Sequence, residues 1–97
     1  MLTVLAQIYF YTEEEGGRSQ DAFSGYMPSI SVDGELIMCR VLSDLEILCR
    51  GSEHQVKIEL PYGEIFKEHF FTGYSFTLNE GGWIIGKGII LKVIGDN

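Results

Sequence analysis

The chain has 97 residues, 45% hydrophobic and 12% aromatic, with a formal charge of −7 from 14 acidic and 7 basic side chains. Such a size and apolar content describe a single domain over residues 1–97 with one packed core, and exclude a disordered chain. The acidic balance repels a phosphate backbone in the far field and suits solubility, or a basic protein partner.

No run approaches the roughly 20 apolar residues of a membrane helix, and the opening Met1-Leu2-Thr3-Val4 lacks a basic leader. Cys39 and Cys49 make no disulfide framework. A cytoplasmic protein with two partly buried thiols is expected. The Met1 start and the short Gly95-Asp96-Asn97 tail suggest a complete small protein.

Residues 2–11 alternate, with Val4, Ala6, Ile8 and Phe10 on one side and Thr3, Leu5, Gln7, Tyr9 and Tyr11 on the other. That period predicts a strand whose outer face is partly apolar. Thr12-Glu13-Glu14-Glu15-Gly16-Gly17-Arg18 is a loop whose glutamates stay hydrated and whose glycines permit positive φ. Gly25 marks a bend and Pro28 a strand start or edge. A short strand over 29–32 turns at Asp33-Gly34, a two-residue hairpin signal, into a return strand over 35–42. Another short apolar segment covers 45–49. In 55–60, Val56, Ile58 and Leu60 alternate with polar neighbours as a half-buried strand.

Residues 64–71 fit either one helical turn or a short strand. Tyr74, Phe76 and Leu78 alternate in the next strand, and Asn79-Glu80-Gly81-Gly82 turns the chain into a last strand over 83–93. No helix of ten or more residues is expected. Many short strands separated by turns predict an all-β protein. The glycines within the last strand favour a closed, mainly antiparallel, six-stranded barrel in which backbones approach closely.

Two stretches carry a family likeness. Ala6-Gln7-Ile8-Tyr9 running into Glu14-Glu15-Gly16-Gly17-Arg18, followed by Phe23-Ser24-Gly25-Tyr26-Met27-Pro28, resembles the opening of the C-terminal β-barrel domain (domain III) of bacterial elongation factor Tu. Phe76-Thr77-Leu78-Asn79-Glu80-Gly81-Gly82-Trp83-Ile84-Ile85-Gly86-Lys87-Gly88 is similar to that domain's last hairpin. The resemblance implies a translation-factor barrel standing alone. The chain has no Gly-x-x-x-x-Gly-Lys-Ser/Thr phosphate loop, so GTPase chemistry is not expected. It also implies a tRNA-facing edge at Arg18 and the Gly81-Gly82 turn. Ser29 stands where the family has glutamine, however, and Trp83 where it commonly has arginine. Both changes remove reach toward phosphate. The expected function is therefore a non-enzymatic module binding a protein partner through Arg18, Tyr26, Gly81, Gly82, Trp83 and Lys87. The alternative is a module binding tRNA or ribosome through Arg18, Lys87 and Lys92.

Other constellations carry less. Cys39, Cys49, His54 and His69 have no zinc-finger spacing and make no supported nucleophile pair. His54 falls in a polar turn, and His69 sits among Phe66, Phe70 and Phe71 as a partly buried ring. Gly81, Gly82, Gly86 and Gly88 precede a strand, so no helix N-terminus is available for a nucleotide phosphate. No catalytic residue, metal or cofactor is expected.

Overall fold

A computed structural model of the protein describes residues 1–96. Asn97, the last residue of the expected tail, lies outside the described residues. The strands are β1 (Leu2–Phe10), β2 (Ala22–Phe23), β3 (Ser29–Val32), β4 (Glu35–Met38), β5 (Arg40–Leu42), β6 (Ile47–Leu48), β7 (Glu53–Leu60), β8 (Ser75–Glu80) and β9 (Trp83–Asp96). β9 begins at the expected residue and runs past Val93, so Gly95 and Asp96 belong to the strand and not to a tail. The ambiguous stretch is helical: a 3-10 segment over Gly63–His69, kinked at Phe66.

Seven strands form one antiparallel sheet in the order β4-β3-β8-β9-β1-β7-β5, and β2 pairs β6 in a separate ribbon. β1 lies between β9 and β7. Its Val4, Ala6 and Ile8 are fully buried, and the expected two-residue alternation is present along the strand. The core they start is completed by Ile30, Val41, Ile58, Leu78, Ile85 and Ile90 from neighbouring strands.

The sheet curls into a half-barrel and is not the closed six-stranded barrel expected. Two local events explain the difference. The return strand over 35–42 breaks at Cys39, so β4 pairs with β3 while β5 pairs with β7. At the break the Cys39 N–H donates to the Pro28 carbonyl at 3.0 Å, and proline has no N–H to give back. β4 and β5 thus become the two ends of the ladder, and among the described residues no strand pairing joins them. Consecutive chain joins them instead. The second event is that Ala22-Phe23 leave the sheet to pair with Ile47-Leu48.

Asp33 and Gly34 both take positive φ, at 48° and 77°, as a tight two-residue hairpin turn requires. Close approach governs Gly88. A Cβ there would lie 2.3 Å from Phe76 Cζ and 2.9 Å from Ile8 Cγ2, so the Phe76 ring occupies the space a side chain would need. The glycine notch lets β9 pair between β8 and β1 with an aromatic ring packed into it.

Cys39 is fully buried, and burial pushes its thiol up to about 12, whereas Cys49 is exposed. The expectation of two partly buried thiols is thus corrected: one is fully buried and the other exposed.

Gly88→Ala is expected to lower stability by about 1–3 kcal/mol through overpacking. Gly82→Ala, which meets nothing within 4 Å, should cost about 0.5 kcal/mol or less. Urea unfolding followed by circular dichroism measures both, and equal effects would contradict the packing argument.

Candidate functional site

The loop after β1 is shaped by its own side chains. Thr12 caps the 3-10 turn Glu13–Glu15, accepting from the Glu15 N–H at 3.2 Å while Glu15 Oε1 accepts from the Thr12 N–H at 2.9 Å. The same Glu15 oxygen accepts from the Tyr9 hydroxyl at 2.8 Å. These donors hold the Glu15 carboxyl below its ordinary value of 4.5, the Thr12 backbone bond first and Tyr9 second. Gly17 then folds back, donating to the Thr12 carbonyl at 2.8 Å. A Cβ at Gly17 would lie 2.2 Å from the Tyr11 carbonyl oxygen, so only glycine fits.

Arg50 secures the far side of this loop. Its Nη1 donates to the Arg18 carbonyl at 2.8 Å, and its backbone N–H and Nε both donate to Asp21 Oδ1, at 3.0 and 2.9 Å. The bonds to Arg50, backbone first, hold the Asp21 carboxyl below its ordinary 3.8.

This anchored loop meets the β8–β9 hairpin. Trp83 donates its indole N–H to the Gly16 carbonyl at 2.7 Å. Glu80 faces Trp83 across the hairpin, with Gly81 and Gly82 forming the turn between them. Arg18 Nε lies 3.3 Å from Glu80 Oε2, and the Tyr26 hydroxyl donates to the same oxygen. The Arg18 guanidinium sits 4.6 Å from the Tyr26 ring centroid, at cation–π distance. Burial and the Glu80 bond raise the Tyr26 phenol, keeping it protonated as the donor.

Five of the six residues expected to bind a partner, Arg18, Tyr26, Gly81, Gly82 and Trp83, therefore come together. The sixth, Lys87, lies further along β9 with its Nζ 5.6 Å from the Tyr9 ring centroid. Their roles differ. Tyr26 is 8% exposed and the Arg18 side chain 19%, and Arg18 Nη1 is buried without a hydrogen-bond partner among the described residues. These two work inward. Trp83 remains 45% exposed, beside Ile84 at 45%. Lys92 pairs with Leu5 in the register of β1 and β9 and is exposed.

Sequence reasoning missed Glu80 as the hub. The available signal was a carboxylate preceding the glycine turn, opposite a loop carrying a lone arginine. It also missed the exposed Phe23, Leu45 and Ile47, at 48%, 58% and 52%. His54 is in β7 and not in a turn, with Nε2 2.8 Å from the Cys49 carbonyl oxygen. His69 packs near Phe66 and Tyr74, at 6.5 and 6.2 Å between ring centroids.

An open cleft of about 420 Å³ is lined by Thr12, Glu13, Glu14, Asp21 and Arg50. Among the described residues no group of three or more His, Cys, Asp or Glu side chains is placed to hold a metal ion. No helix among them is long and apolar enough to cross a membrane. A scan of known protein families finds no model that matches the chain.

Two tests follow from this geometry. Glu15 and Asp21 have depressed folded values, so their contribution is present above 4.5 and 3.8 and is lost as pH falls through the folded values. Trp83 bonds to Gly16, directly after Glu15, so its fluorescence should change below pH 4.5 before the far-ultraviolet dichroism does. Glu15→Gln should flatten that change. Separately, Glu80→Met should cost about 1–3 kcal/mol by stranding Arg18. The Arg18→Met/Glu80→Met double variant should recover part of that loss, as a chemical-denaturation double-mutant cycle would show.

Proposed function

We propose that this chain is a small non-enzymatic binding module of the elongation factor Tu domain III type, acting without a GTPase domain. It engages a protein partner in the cytoplasm through the rim around Trp83. One observation carries the reading: Trp83 is held by a hydrogen bond from its only polar atom, yet leaves nearly half its surface in solvent. A large ring whose N–H is already satisfied and whose orientation is fixed loses little entropy on docking. Tyr and Trp are enriched at interfaces for that reason.

The resemblance to the translation-factor barrel is supported by contact between its two signature stretches, through Trp83 and Gly16 and through Arg18 and Glu80. Protein is favoured over tRNA or ribosome because the rim's cations are engaged. Arg18 is spent on Glu80 and Tyr26, and Lys87 lies over Tyr9. The net charge of −7 opposes a phosphate backbone as well.

The test is affinity capture from lysate with and without nuclease, comparing the wild type with Trp83→Ala. The expected outcome is a set of proteins that survives nuclease and is lost with Trp83→Ala. Partners that vanish on nuclease treatment, together with salt-sensitive tRNA retention in a gel shift, would replace this reading with the nucleic-acid one.

A further inference from the structure

Outside the Trp83 rim, the ribbon formed by β2 and β6 is the least explained surface. It has two faces of opposite character. Ala22 pairs with Leu48, and both are buried; Phe23 pairs with Ile47, and both are exposed. The ribbon therefore covers the core with one cross-strand pair and presents the other to solvent. Leu45, two residues before Ile47, is also exposed. Three large apolar side chains thus stand on an element fixed from behind by its own buried pair.

The ribbon is joined to the rim. The Phe23 ring lies 5.6 Å from the Tyr26 ring, centroid to centroid, and Tyr26 donates to Glu80, which faces Trp83 across the hairpin. Phe23 and Trp83 thus flank one rigid cluster. The ribbon is also charged in a single sense. Asp44 and Glu46 alternate with Leu45 and Ile47, all four are exposed, and neither acid has an ion pair among the described residues. Two exposed acids on the loop that holds Trp83 repeat the pattern. Glu13 and Glu14 precede Gly16, are exposed, and are likewise without an ion pair among the described residues. Apolar anchors set among carboxylates without an ion pair, Asp44 sharing an open cleft with Lys57, fit a partner that brings apolar side chains bracketed by Lys or Arg.

From this juxtaposition we propose that Phe23, Leu45 and Ile47, with Asp44 and Glu46, form a docking surface for a basic, apolar segment of a protein partner, adjoining the Trp83 rim. The inference rests on the protein-binding reading above and specifies its partner's chemistry. Coulomb attraction between Asp44, Glu46 and the partner's cations steers approach, and the apolar trio supplies the buried contact.

The test is a nitrogen-15 heteronuclear NMR titration of the full chain with three synthetic peptides of equal length. One alternates Leu and Lys, one Leu and Glu, and one Ser and Lys. The Leu/Lys peptide alone should shift the amides of residues 22–24 and 44–48. Its affinity should fall at least about tenfold in Phe23→Ser/Ile47→Ser and in Asp44→Asn/Glu46→Gln, and should weaken with salt. Glu64→Gln/Glu68→Gln, which removes two exposed acids elsewhere, should leave it unchanged. Circular dichroism of the paired variants checks that they fold; Phe23→Tyr, which keeps the ring, provides a gentler variant and should retain binding.

Four results would overturn the inference. One is equal binding of the Leu/Glu or Ser/Lys peptide. Another is no shift up to about 1 mM peptide. A third is concentration-dependent self-association in sedimentation velocity that Phe23→Ser/Ile47→Ser abolishes, which would assign the surface to a second copy of this chain. The last is shifts confined to Trp83 and Ile84, which would sink the ribbon proposal while leaving the protein-binding reading standing.

Discussion

The arrangement of the rim depends on one carboxylate. Glu80 Oε2 is shared by the Arg18 guanidinium and the Tyr26 hydroxyl, and through them it ties the β8–β9 hairpin to the loop after β1 and to the chain entering β3. Glu80 lies 54 residues from Tyr26 in sequence, so the contact fixes tertiary placement and not merely a local turn. Arg18 is suited to the position because guanidinium is more weakly hydrated than ammonium and stacks on an aromatic face while it pairs with a carboxylate. Its buried Nη1, unpartnered among the described residues, shows that the fit is incomplete in hydrogen bonds. The Tyr26 ring offsets part of that deficit by offering the cation its π face.

Glycine makes that meeting possible. The loop can return toward the hairpin only because Gly17 passes against the Tyr11 carbonyl where no side chain fits. The last strand can pair between β8 and β1 only because Gly88 yields its side-chain space to Phe76. Both are close approaches of packed chain, and neither glycine marks a phosphate site. Trp83 then closes the loop to the hairpin from the solvent side through the Gly16 carbonyl. A core residue, a turn and an exposed anchor are in this way held by one small set of contacts.

Much of this was legible in the sequence, and for identifiable reasons. Period-two alternation reports burial directly, so β1, β7 and β8 emerged close to their observed bounds. Asp33-Gly34 declared its hairpin because few residue pairs tolerate two positive φ values. The break at Cys39 was not legible, because an apolar run with uniform strand preference carries no mark of which neighbour each half will pair with. The short 3-10 segment over Gly63–His69 was equally ambiguous, since so few residues do not separate the two periods. At the site, the participants were legible and their directions were not. Arginine beside a double glycine looks the same in sequence whether it reaches outward to a ligand or inward to Glu80.

That directional difference decides what the rim can recognise. An outward Arg18 would give a cationic edge suited to phosphate. Turned inward, it neutralises the one carboxylate nearest the hairpin turn and leaves Trp83 and Ile84 as exposed apolar surface. The cation becomes structural, and the acids that keep the surface negative, among them Glu13 and Glu14, lie on the loop that carries it. An RNA backbone would have to approach these carboxylates with the rim's Arg18 already paired to Glu80. A protein segment carrying its own basic residues meets no such penalty, and it finds an aromatic anchor already oriented. The inward turn of one side chain thus takes the rim's guanidinium away from any phosphate and leaves an oriented aromatic ring as the rim's exposed feature.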